Sequence, residues 1–223
     1  MQGIARFAAQ GYLVAEGVLS GRECDLLALE LETAKKSSAG GRRFLERPWC
    51  IELANALRQH MVLSHLLPPE AVAVQCSLFS KSSTTNWSVA PHQDLCIPVA
   101  SRVVSPQCSG WSMKEGMLFV QPPVEVLASL VAVRLHVDAS EPDSGPLRVA
   151  PGSHRFGRLS ASRVSQSFQD IDICAAPRGA ALAMRPLLVH ASAKAVATVN
   201  RRVLHFLFGP PTLPLGLRWA HAV

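Results

Sequence analysis

The chain has 223 residues, nearly half of them apolar (48%), a formal net charge of +6 and six cysteines. That is enough apolar material for a sizeable core in one domain, and we expect residues 1–223 to form a single unit. The longest apolar runs, such as Leu130-Val131-Ala132-Val133, are far too short to span a bilayer, and Met1 to Phe7 lack a basic-then-apolar signal pattern. A cytoplasmic protein that does not engage a membrane is therefore expected. The positive charge comes without a long basic run or interleaved aromatics, which argues against nucleic acid as a partner. Cys24, Cys50, Cys76, Cys96, Cys108 and Cys174 form no C-x-x-C pair, so they read as reduced thiols rather than a zinc ribbon or disulfide framework.

The N-terminal part, residues 1–70, reads as mostly helical. Ile4, Phe7, Ala8 and Tyr12 recur at roughly helical spacing, and the short apolar run Tyr12-Leu13-Val14 follows Gly11. Ser20-Gly21-Arg22-Glu23 is a capping box, in which the Ser20 hydroxyl accepts from the Glu23 amide while Glu23 reaches back, so a helix should start there. Cys24, Leu27, Leu31 and Ala34 line one face of it, and Ser37-Ser38-Ala39-Gly40-Gly41 should be a flexible loop. A second helix is expected from about Ile51 to His65, stopped by Pro68-Pro69, with His60 and His65 lacking partners at ligand spacing.

From Ala71 the period becomes strand-like, and residues 71–223 should form the β-rich core. Expected strands are Ala71 to Phe79, a stretch through Ala90-Pro91-His92-Gln93-Asp94, Leu127 to Asp138, Leu147 to Val149, Ala180 to His190, and Arg202 to Phe208. Lys81 to Trp87 reads as a polar loop, and Ser101 to Val124 shows no period, which suggests a binding loop or lid. Strands after helices, separated by Pro/Gly turns, suggest an antiparallel barrel or jelly roll with helices on one side.

The chemistry centres on His92 and Asp94. In an extended chain residues i and i+2 project to one face, so an imidazole and a carboxylate would meet there. One further histidine would complete a 2-His-1-carboxylate set with open coordination positions. His190, closing an apolar strand, is the candidate. Eleven residues on, Arg201 could hold a carboxylate in its planar fork.

Together, His92-Gln93-Asp94, the string Ser144-Gly145-Pro146-Leu147-Arg148-Val149-Ala150-Pro151-Gly152-Ser153-His154, His190-Ala191-Ser192 and Arg201-Arg202 resemble the phytanoyl-CoA dioxygenase family of iron(II)- and 2-oxoglutarate-dependent oxygenases. The resemblance covers nearly the whole chain, including Gly11-Tyr12-Leu13-Val14 and the helix after Val18-Leu19-Ser20. It implies a mainly β fold with flanking helices: the double-stranded β-helix, a cupin-like jelly roll with iron inside one end. It also implies that His92, Asp94 and His190 bind Fe(II), that Arg201 pairs with the distal carboxylate of 2-oxoglutarate, and that Ser192 assists. O2 would be the co-substrate, with succinate and carbon dioxide released as a C–H bond of a small organic substrate is oxidised. Because Asp94 is present where related halogenases carry a small residue, the resemblance favours hydroxylation or another oxidation of that kind.

Strand parity leaves one choice open. Arg201, Val203 and His205 share one face and Arg202, Leu204, Phe206 and Phe208 the other; the more polar face is expected inside, which favours Arg201 over Arg202. Gln93 should brace its strand, and Gly152 and His154 should serve the turn they lie in. Lys81, Trp87, Trp111 and Lys114 are candidates for the pocket rim, and Arg134 and His136 could reach cofactor or substrate. The competing reading is a non-oxidative metal-binding cupin or small-molecule sensor, against which Ser192 and Arg201 speak, since such a protein needs no carboxylate clamp.

Overall fold

The computed structural model describes residues 2–34, 41–196 and 200–223. The loop expected at 37–41 lies almost wholly outside the described residues, and among them no helix is long and apolar enough to cross a membrane.

The chain opens with helix α1 (Gln2–Gln10) and strand β1 (Tyr12–Ala15), then helix α2 (Gly21–Ala34). The capping box forms as read: the Glu23 amide donates to Ser20 Oγ at 3.3 Å and the Ser20 amide to Glu23 Oε2 at 2.8 Å. Helix α3 (Pro48–Gln59) begins three residues earlier than expected, because Pro48 suits the first turn, and it ends before a separate 3-10 turn, Leu63–His65.

The β-rich part then runs β2 (Val72–Lys81), β3 (Val89–His92), β4 (Ile97–Val99), β5 (Ser109–Lys114), β6 (Met117–Gln121), helix α4 (Val124–Ala128), β7 (Val131–His136), β8 (Leu147–Val149), helix α5 (Ala161–Ser167), β9 (Asp172–Cys174), β10 (Ala181–Met184), β11 (His190–Ser192) and β12 (Arg201–Gly209). A five-stranded sheet has the order β1-β10-β7-β12-β2, a four-stranded sheet the order β3-β11-β8-β9, and β4-β6-β5 form a third. All the pairings within these sheets are antiparallel.

The five-stranded sheet has an apolar face on each side. Val133, Leu135, Leu204, Phe206 and Phe208 pack against Leu31, Leu53 and Leu57 of the helices. On the other face Ala132, Leu182, Met184 and Leu207 meet Leu147, Val149 and Cys174 of the four-stranded sheet. This is a jelly roll: two facing sheets with helices outside the larger one.

Four expectations are corrected. Residues 101–124 are not wholly irregular; they contain the hairpin β5–β6, whose two-residue turn places Glu115 (φ 50) and Gly116 (φ 77) both in the left-handed region, the geometry that matches strand twist. Leu127 belongs to α4 rather than to the strand, which starts at Val131. Residues 180–190 are two strands in different sheets, because Pro186 cannot donate to a ladder and the chain crosses between the sheets around it. Finally, β3 ends at His92, so Asp94 is not in a strand; its amide donates to Pro186 O at 2.9 Å instead.

Candidate metal and oxyanion site

A pocket of about 400 Å³ opens between the two facing sheets, within the size range of small-molecule sites. His92, Asp94 and His190 lie in its wall, each offering a ligand atom, and these atoms all fall within 4.8 Å of one another. Strand pairing brings the histidines together: His190 is the direct cross-strand partner of His92, and the rings lie 4.2 Å apart between centroids. Asp94 Oδ1 is 3.8 Å from His92 Nε2, and its Oδ2 is 3.7 Å from His190 Nε2.

The outer nitrogens settle the tautomers. His92 Nδ1 lies 2.9 Å from Ala90 O, and His190 Nδ1 lies 2.9 Å from Leu188 O. A carbonyl only accepts, so each Nδ1 carries a proton and donates, and Nε2 is the ring atom that each histidine turns toward the Asp94 carboxylate. Burial lowers the His190 imidazole to about 4, which keeps it neutral and able to ligate. Burial alone would raise the Asp94 carboxyl, but His190, His205, His92 and Arg134 outweigh it and hold the group below its ordinary value. Two imidazole nitrogens and a carboxylate suit a divalent first-row metal, and the donor set fits iron(II).

Gln93 points away from this cluster, as parity implies, and ties three segments together. Its Nε2 donates to Leu187 O at 2.7 Å and Gly157 O at 2.8 Å, while its Oε1 accepts from Leu159 N at 2.9 Å. His154 is likewise a brace, its Nε2 lying 3.2 Å from Ala8 O against α1, and Gly152 takes φ 76 in the same turn.

Further along the pocket are three buried cations. Lys81, Arg134 and Arg201 are 1%, 7% and 2% exposed, and all line the cavity. Arg201 Nη1 donates to Gly145 O, and its Nε has no partner. Lys81, the cross-strand partner of Arg201, donates to Ala193 O and lies 3.4 Å from Ser192 Oγ. Gly145 is required here: at φ 68, a Cβ would stand 2.5 Å from Ala193 O. Burial lowers Arg201 to about 10, and burial with the fields of Arg201 and Arg134 lowers Lys81 to about 8. Asp94 is the one carboxylate in the described lining, so positive charge is in excess at this end of the pocket, an arrangement that could hold an anion.

The choice between neighbouring arginines is decided by partners. Arg202 faces outward, held by Asp138 in two hydrogen bonds of 2.8 Å and reaching Glu32 at 3.4 Å. Arg201 alone faces the cavity. Lys81, Trp87, Lys114 and Arg134 also line it, whereas Trp111 and His136 do not. Sequence reasoning left Gln75, Ser77 and Phe79 aside, although they alternate with Lys81 on the inward face of β2. The two-residue period carried that signal.

Fold and site define a jelly roll with a two-histidine, one-carboxylate cluster beside a wall of buried cations. The phytanoyl-CoA dioxygenase (PhyH) model matches residues 7–203, and the chain belongs to that family of iron- and 2-oxoglutarate-dependent oxygenases. Solved structures show the same fold at low identity. The non-heme alpha-ketoglutarate-dependent epimerase SnoN from nogalamycin biosynthesis is 15% identical over 95% of this chain and 82% of its own, with a TM-score of 0.71. The carbocyclase SnoK from the same biosynthesis is 12% identical over 93% and 83%, with a TM-score of 0.68. HygX from Streptomyces hygroscopicus, solved with nickel and 2-oxoglutarate bound, is 16% identical over 96% and 88%, with a TM-score of 0.64. No curated protein matches the chain in sequence.

Proposed function

We propose that this chain is an Fe(II)- and 2-oxoglutarate-dependent dioxygenase that oxidises a C–H bond of a small organic substrate, with hydroxylation as the outcome. The observation that carries the reading is the coincidence, in one cavity, of the His92–Asp94–His190 cluster with the buried, unpaired Nε of Arg201. A metal cupin with no keto-acid partner has no use for a guanidinium left buried without an anion.

In this reading His92, Asp94 and His190 hold the iron, which when bound activates O2 for coupled decarboxylation of the keto acid and oxidation of the substrate. Ala90 O and Leu188 O fix the two imidazoles so that their Nε2 atoms stay free to ligate. Arg201 takes the distal carboxylate of 2-oxoglutarate in its fork, with Ser192 as a further donor and Lys81 adding charge behind them. Phe79, Leu127, Leu130 and Leu207 give the cavity apolar wall, which limits water around the reacting groups. Residues 1–223 act as one oxygenase unit.

SnoN is an epimerase and SnoK a carbocyclase, both non-heme and alpha-ketoglutarate dependent, so this fold supports more than one outcome. Asp94 speaks against halogenation, since it fills the position a halide would need, and hydroxylation is the outcome we propose among the oxidations left. The test is anaerobic titration of Fe(II) and 2-oxoglutarate into the protein, watching the weak visible charge-transfer band of the chelate. The band should form in the parent and weaken in Arg201→Ala; a folded, iron-loaded parent with no band overturns the reading.

A further inference from the structure

Arg134 is a second unpaired guanidinium in the same cavity. It projects from the middle of β7, is 7% exposed, and stacks over the Phe79 ring with its Cζ 5.2 Å from the centroid. Its one hydrogen bond among the described residues runs from Nη1 to His205 Nδ1 at 3.1 Å, and its Nε has no partner. His205 is neutral, because burial and the field of Arg134 lower it to about 3, so it accepts that bond and supplies no counter-charge. Burial and the field of Arg201 lower Arg134 itself to about 10, which leaves it charged.

A buried guanidinium with most of its donors idle is costly unless a ligand completes it. 2-Oxoglutarate does not complete it. On the reading above, the distal carboxylate answers Arg201, with Lys81 behind, and the keto-acid end answers the metal, so both acid groups are already engaged. Arg134 makes no ion pair among the described residues; Asp94, the one carboxylate in the described lining, acts on it only through space and is the residue that would hold the metal, while Arg42, also in the lining, is already paired with Glu115.

We propose that the primary substrate is an organic oxyanion, a carboxylate or phosphate ester, and that Arg134 holds its acid group in a bidentate fork while Phe79 and the leucines cover its carbon skeleton. Lys114, its Nζ over the Phe119 ring, also lines the cavity and adds positive potential that would attract such a molecule. This rests on the oxygenase reading, because it assigns 2-oxoglutarate to Arg201.

The experiment uses the full chain loaded with Mn(II) and N-oxalylglycine, an inert mimic of 2-oxoglutarate. Propionate and methyl phosphate are titrated in separately by calorimetry, for the parent, Arg134→Gln and Arg134→Lys, with folding followed by Tm. At least one anion should bind the loaded parent saturably, and the stronger of the two identifies the acid group. Arg134→Gln should weaken it about 10- to 100-fold, the span of a charge-assisted hydrogen bond. Arg134→Lys, which keeps the charge without the fork, should recover part of the loss and serves as the reporter if the glutamine variant fails to fold. N-oxalylglycine should bind all three proteins within about twofold, since no fork contact to it is lost. If neither anion binds the loaded parent, or if the Arg134 variants weaken N-oxalylglycine and leave the anions unchanged, the proposal is overturned. Failure of the oxygenase reading shows separately, as a parent that binds no N-oxalylglycine with metal present.

Discussion

At the scale of single residues, the cluster depends on orientation more than on proximity. His92 and His190 each use Nδ1 to hold a backbone carbonyl, so Nε2 is the atom that each presents inward. Asp94→Ala should abolish retention of stoichiometric Fe(II) through gel filtration while leaving the far-UV circular dichroism and Tm near the parent values, because the half-buried carboxylate has no other hydrogen-bonding duty among the described contacts. Gln93 behaves in the opposite way. Its amide satisfies Leu187 O, Gly157 O and Leu159 N, so Gln93→Ala should cost about 1–3 kcal/mol in urea unfolding through those orphaned groups.

At the scale of elements, backbone geometry sets where the site can be. The segment from Gly145 into β8 passes so close to the Ala193 carbonyl that a side chain cannot be accommodated, and the Gly145 carbonyl also receives Arg201. Gly145→Ala should therefore lower Tm and raise the KM for 2-oxoglutarate together, measured by thermal denaturation and succinate release; a change in Tm alone would place the strain away from the clamp. The Ser20–Glu23 box, far from the pocket, should register only in stability. Ser20→Ala should cost about 1 kcal/mol of unfolding free energy and leave 2-oxoglutarate binding unaltered.

At the scale of the whole molecule, the cations between the sheets link stability to pH. Lys81 on β2 faces Arg201 on β12, Arg134 on β7, and the uncharged Ser192 and Trp87. Its folded value of about 8 lies below the unfolded one, so the folded state disfavours the protonated amine. Below about pH 8 that penalty is fully present, and between there and the unfolded value the unfolded chain binds more protons, so the unliganded protein gains stability as pH rises. A bound dicarboxylate reverses the preference by pairing with the charge. The rise in Tm on adding N-oxalylglycine with Mn(II) should thus be larger at pH 7 than at pH 9.5; an equal rise at both would separate Lys81 from the anion. Lys81→Met should flatten the dependence.

The sequence by itself determined the residue types and their order: His92 and Asp94 two apart, the Gly145 to His154 string, His190, then Arg201. Those are local patterns, and local patterns survive without coordinates. Strand parity also carried the inward direction of Arg201, because the Phe-rich alternate face of β12 had to pack on the helices. What only the tertiary structure decided was which distant residues meet. The β3–β11 pairing sets His190 opposite His92, the turn around Pro186 divides one apolar run between two sheets, and an amide bond to Pro186 O, not a strand, presents Asp94. Arg134 shows the limit most clearly. From sequence it is one polar residue in an apolar strand, and only the fold shows that it lines the cavity with a single hydrogen bond, to His205, among the described residues. Counter-charges come from residues far apart in the chain, so the balance of a buried pocket is a property of the fold.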